Sequence, residues 1–150
     1  MTTKALATRT EALRQIEHEV GVLIRRVRRV IGDRAHAVHP ELQPATYLLL
    51  THLDESGPLR ASALVESTGV DKAAISRQVQ HLVDLGLLTR AQDPQDGRAT
   101  LLEVSDDARA RLRQVQRDGR LRFDQRLSDW SDSDLAEFAN RLREYNAALD

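Results

Sequence analysis

The sequence predicts a mainly α-helical fold carrying one small β-hairpin, and three observations lead there. Apolar residues recur in steps of three and four near both ends of the chain, the period of amphipathic helices. The middle holds two short helical stretches separated by the tight turn "TGVD", Thr68 to Asp71, which is the arrangement of a helix-turn-helix unit. Directly after it, two short apolar runs flank "QDPQDGR", residues 92–98, whose Asp, Pro and Gly supply hairpin-turn chemistry. A helix-turn-helix followed at once by a hairpin is a winged helix.

The 150 residues fit a single domain, 1–150, long enough to bury a core without disulfides or a structural metal. Cysteine is absent, which excludes thiolate nucleophiles, thiol redox sensing and Cys-type zinc sites. No segment approaches the roughly 20 apolar residues that span a bilayer, so a cytoplasmic protein without membrane contact is expected. The net charge of -1 places any binding of a polyanion on local charge rather than on the bulk value.

Taken in order, Leu13, Ile16, Val20, Leu23, Val27 and Val30 define a first long helix, with Ile24 and Ile31 widening its stripe. Pro44, after Gln43, occupies a first helical position, and Tyr47, Leu48, Leu50 and Leu53 carry a helix that stops at "ESGP". A short helix from about Ala61 to Ser67 precedes the turn. The next runs from Asp71 to Leu85, with Asp71 as N-cap, a Val70–Ile75 staple, and Gly86 closing it. Leu87–Ala91 and Ala99–Val104 are the hairpin strands.

A third long helix begins at Ser105, with Asp106 and Asp107 in the first turn, where the helix dipole favours acids. Ala108, Leu112, Val115, Phe123 and Leu127 are its expected buried side, and Gly119 costs it up to about 1 kcal/mol relative to Ala. The last helix carries Leu135, Phe138, Leu142, Tyr145 and Leu149. Ser131 and Asp134 open it as a capping-box pair, with Trp130 placed to staple onto Leu135. The middle third is too small to cover all three long helices. They are therefore read as a helical interface between two copies, residues 8–36 and 105–149, around a winged-helix lobe at 42–104. An intramolecular bundle is the alternative.

In the Asp71–Leu85 helix, Ile75, Val79, Leu82 and Val83 form the inward face, while Lys72, Ala73, Ser76, Arg77, Gln80 and Asp84 point outward. The outward set suits a DNA major groove: small residues permit close approach, Arg pairs bidentately with guanine, Gln with adenine, and Ser or Lys reaches phosphates. An ordinary solvated helix face has the same composition. On the hairpin, Arg98 is placed to enter an adjacent minor groove, with Asp96 holding it or a neighbouring arginine.

The run "GVDKAAISRQVQHLVDLGLLTRAQDPQDGRATLLEVSDDARARL" resembles the recognition helix, wing and following helix of the MarR (multiple antibiotic resistance regulator) family, and "LQPATYLLLTHLDESGPLRASALVESTGV" resembles its preceding helices. The likeness is strong from Leu42 to about Leu112 and extends to the terminal helices only in length and pattern. It implies a homodimeric, double-stranded-DNA-binding transcriptional regulator, a ligand-responsive repressor on a pseudo-palindromic operator, dimerised through its N- and C-terminal helices. Carried across by position, Ser76, Arg77 and Gln80 face bases, Lys72 a phosphate and Arg98 the minor groove. Arg60 and Gln43 depart from the family's Ser or Thr caps, which weakens two caps and touches no contact residue.

The resemblance also implies a small, aromatic or phenolic, anionic effector between the dimer helices and the DNA-binding lobe. His18, His36, His39, Tyr47 and His52 are the polar groups available to such a cleft, and the sequence does not choose among them. His36, His39 and Glu41 are donors that zinc accepts, but they lack a clean His-x3-His spacing, so no metal or other cofactor is expected. "RRVRR", Arg25 to Arg29, continues the apolar stripe through Val27 and reads as a solvated flank. No glycine-rich phosphate loop or convergent nucleophile and base is visible, so an enzyme is not expected. The rival function is a winged helix used only for protein contact.

Overall fold

The computed structural model describes residues 8–149. Its elements run α1 (Arg9–Val38), α2 (Pro44–Ser56), β1 (Leu59–Arg60), α3 (Ala61–Thr68), α4 (Lys72–Asp84), β2 (Leu88–Asp93), β3 (Asp96–Val104), α5 (Asp106–Arg126) and α6 (Asp132–Ala147). The described residues divide into two compact units, 8–112 and 113–149, with the division inside α5.

Helix starts are fixed by side chains that satisfy the free N–H groups of a first turn. Thr8 and Glu11 form a capping box at α1, and Ser131 and Asp134 form the expected one at α6. Ser105 Oγ accepts from Ala108 N at 3.2 Å and donates to Gly86 O at 2.9 Å, so the residue that opens α5 also ties it to the end of α4. Pro44 begins α2, and neither Gln43 nor Arg60 makes a side-chain cap, as their chemistry predicts.

The core of the first unit gathers Leu42, Leu50, Leu53, Leu64, Ile75, Leu82, Leu87 and Leu112, all almost fully buried. Each contributes roughly 1.5–3 kcal/mol by leaving water. The sheet beside them is antiparallel, in the order β1-β3-β2. Leu88 pairs with Val104 and Leu59 with Leu102, and Leu88, Leu102 and Val104 turn inward. β1 was not expected from the sequence. Two residues carry no periodicity, and Leu59 and Arg60 become a strand only because Leu102 and Leu101 lie opposite them.

The hairpin is longer than expected. β2 reaches Asp93 and β3 starts at Asp96, which leaves only Pro94 and Gln95 in the turn. On α5, Ala108, Leu112 and Val115 are buried as expected, but Leu127 is half-buried and Phe123 is 63% exposed, which corrects its assignment to a buried side. Its period is right, but nothing in the described chain covers it. At the start of α6, Trp130 packs edge-to-face on Phe138, with centroids 5.5 Å apart. Among the described residues α6 has no buried position: Leu135 and Tyr145 are half-buried and Phe138 and Leu142 exposed, as is Leu149 just beyond the helix. On α1, Leu13, Ile16, Leu23, Ile24 and Val27 likewise remain close to half exposed.

Candidate nucleic-acid interface

The chemistry expected of α4 depends on how firmly the helix is set. Asp71 accepts from Ala73 N at 3.1 Å and Ala74 N at 3.0 Å. These two bonds, with Arg77 nearby, hold its carboxyl below the ordinary value. At the other end Gly86 takes φ +71, and Gly86 N donates to Val83 O and Leu87 N to Leu82 O, each at 2.9 Å. This pair of bonds is the Schellman closure, and Leu82 and Leu87 are both buried beside it. Between the caps Ile75, Val79 and Leu82 are buried and Val83 half-buried, while Lys72, Ala73, Ser76, Arg77, Gln80 and Asp84 are all exposed. The structure thus divides the helix along the faces read from its period.

The hairpin holds Arg98 outward by a set of local bonds. Gln92 pairs with Thr100 and Asp93 with Asp96, so Gly97, Arg98 and Ala99 bulge from β3 between the two pairings. Gln92 Nε2 donates to Gly97 O at 2.8 Å across the bulge, and Asp96 Oδ1 accepts from Arg98 N at 3.1 Å. Asp96 therefore supports Arg98 through its backbone and leaves the guanidinium exposed.

Arg60 bonds none of the expected contact residues, but it reaches the hairpin that carries one of them. Its Nε donates to Asp93 Oδ2 at 2.9 Å, its Nη2 bonds the same oxygen, and Nη2 lies 3.7 Å from Asp96 Oδ2. Gln95 N donates to Asp93 Oδ1 at 2.9 Å. The Gln95 N–H first, and Arg60 second, hold the Asp93 carboxyl below its ordinary value. A residue at the start of α3 thus pins the turn end of the hairpin, through a pairing across 33 positions that no local pattern announces.

Gln80 is exposed but engaged: Nε2 donates to Asp84 Oδ1 at 2.7 Å, and Oε1 accepts from Arg90 Nη2 at 3.0 Å. Beside it, a cleft of about 580 Å³ lies between α3, α4 and the sheet, with Val65, Ile75, Val79 and Leu102 as apolar wall and Lys72 and Arg90 as basic groups. None of the residues proposed for an effector lines it. His18 is exposed on α1, His36 Nδ1 lies 3.0 Å from Gly32 O, and His39 Nδ1 accepts from Glu41 N at 3.2 Å. His52 Nε2 lies 2.9 Å from Ser67 Oγ. Tyr47 is buried, and burial pushes its hydroxyl pKa up against the opposing charge of Arg34. Among the described residues no group of three or more His, Asp or Glu is arranged to hold a metal, and no helix is long and apolar enough to cross a membrane.

A profile of the MarR family matches residues 41–99. The HTH-type transcriptional regulator YxaD of Bacillus subtilis strain 168 is 35% identical over 134 residues, covering 89% of this chain and 92% of its own. The HTH-type transcriptional repressor NicR of Pseudomonas putida is 28% identical over 93 residues, 61% of this chain and 59% of its own. Among solved structures, a MarR family transcriptional regulator from Listeria monocytogenes, complexed with a 26mer DNA, has a TM-score of 0.65 at 15% identity, covering 88% of this chain and 87% of that one.

Proposed function

Because the chain belongs to the MarR family of transcriptional regulators, we propose that it acts as a homodimeric repressor that places two α4 helices in successive major grooves of a pseudo-palindromic operator. The observation that carries this reading is the exposed face of α4, with Lys72, Ser76 and Arg77, followed by a hairpin that holds Arg98 outward. In this reading Arg77 and Gln80 read base edges, Ser76 approaches them closely, Lys72 neutralises a phosphate and Arg98 enters the minor groove. The exposed apolar residues of α1 and α6 support a second copy as the partner that covers them. Repression draws support from the relative named a repressor, and DNA binding from the structural relative solved with DNA.

The ligand-responsive part of the proposal rests on the cleft beside α4. Its apolar wall and basic rim suit a small aromatic anion, and occupation there would compete with DNA for Lys72. The test is a mobility shift on fragments of the source organism's own DNA, repeated over a range of salt. The reading expects a palindrome-dependent shift that weakens steeply with salt. Arg77→Ala is expected to cost about 1 to 3 kcal/mol and relax base preference, whereas Lys72→Ala weakens all sequences alike. Absence of a shift on every fragment would favour the protein-contact role instead.

A further inference from the structure

We propose that Asp84 and Arg90 set operator specificity without reading a base themselves, by fixing the sense in which Gln80 presents its amide; this rests on the DNA-reading role proposed above for α4. Gln80 stands one helical turn from Asp84, and Arg90 reaches it from β2. Among the described residues neither Asp84 nor Arg90 forms an ion pair, and each has Gln80 as its side-chain hydrogen-bond partner.

A glutamine amide in neutral surroundings turns over easily, exchanging its donor for its acceptor. Here a turn would set NH2 against a guanidinium and C=O against a carboxylate. Two charge-assisted bonds would be replaced by two repulsive contacts, so the neighbours' charges dictate the amide's sense. Each end keeps one valence free, because the carbonyl oxygen has a second lone pair and the nitrogen a second hydrogen. One acceptor beside one donor complements the adenine edge, N6–H2 and N7. Guanine offers two acceptors, O6 and N7, which a freely turning amide satisfies with its NH2 and a locked one meets with its carbonyl oxygen. The lock therefore converts a purine contact into an adenine contact. It also gives Asp84 a reason to stand on a face offered to a polyanion, where a bare carboxylate weakens binding to every sequence.

Selection from a randomised duplex pool tests this with the full-length protein, its Q80A, D84A and R90A variants, and the D84A/Q80A double variant. All three positions are exposed, and far-UV circular dichroism confirms that each variant is folded. Q80A is expected to lose the preference for one adenine per half-site. D84A and R90A, each leaving one charged neighbour on the amide, should each weaken that preference, cutting its adenine-over-guanine ratio on the order of tenfold, while D84A strengthens binding to all duplexes at low salt. In the Q80A background D84A should leave base preference unchanged, which a merely structural role for Asp84 would not produce. The proposal is overturned if D84A keeps the wild-type ratio where Q80A alters it, if D84A changes preference equally with and without Gln80, or if Q80A changes no preference. A wild-type protein that enriches no motif overturns the DNA-reading role itself, a distinct outcome.

Discussion

Gly86→Ala isolates the joint between α4 and the hairpin that follows it. Gly86 has φ +71, and a Cβ added there meets no heavy atom within 4 Å, so the substitution introduces no clash. Its cost is the left-handed backbone alone, about 1–2 kcal/mol for a residue with a side chain. Against this stands about 0.4–1 kcal/mol from the stiffer unfolded chain, leaving a net loss of about 1 kcal/mol, or roughly fivefold in the folding equilibrium. Gly32→Ala is the matched control: it lies inside α1, its Cβ also meets nothing within 4 Å, and its φ is not positive. There Ala removes the helix penalty of glycine, a gain of about 0.5–1 kcal/mol. Urea unfolding at one fixed protein concentration measures both, since association would otherwise shift the midpoints. Opposite signs are expected; a neutral or stabilising Gly86→Ala would refute the left-handed closure.

Two further outcomes follow from the same geometry. The Asp93 carboxyl, held below its ordinary 3.8, contributes stability that is full above that value and fades as pH falls through its lower folded value. A carboxyl titration by NMR should therefore place its midpoint below 3.8, and Arg60→Ala should move it partway up, the Gln95 N–H remaining in place; a midpoint at or above 3.8 contradicts the pinned hairpin turn. If α1 forms the proposed dimer interface, the unchanged protein should sediment at equilibrium as a dimer and Ile24→Glu, at a position 47% exposed on α1, as a monomer. A wild-type monomer, or a variant that stays dimeric, removes α1 from the interface.

Much of this architecture was legible because it is local. Asp71, Ser105 and Ser131 announce helix starts through the residues just after them, Gly86 announces a stop, and the period of α4 separates Ile75, Val79 and Leu82 from the exposed set. What escaped depends on chain far away. β1 exists by virtue of β3, and Arg60 finds Asp93 only after the fold brings them together. Phe123 has the correct period on α5, yet periodicity states which residues share a face and is silent on what covers it. Gln80 shows the boundary within one residue: Asp84, four positions on, was visible in the sequence as a helical neighbour, whereas Arg90 arrives from a strand.

The most direct measurement is hydroxyl-radical footprinting of the protein on its own selected duplex, alone and as Arg98→Ala. Two α4 helices acting as a pair predict two protected segments with centres about 10 base pairs apart, flanked by minor-groove protection that disappears when Arg98 is removed. A single protected segment, or flanks unchanged in Arg98→Ala, would contradict it.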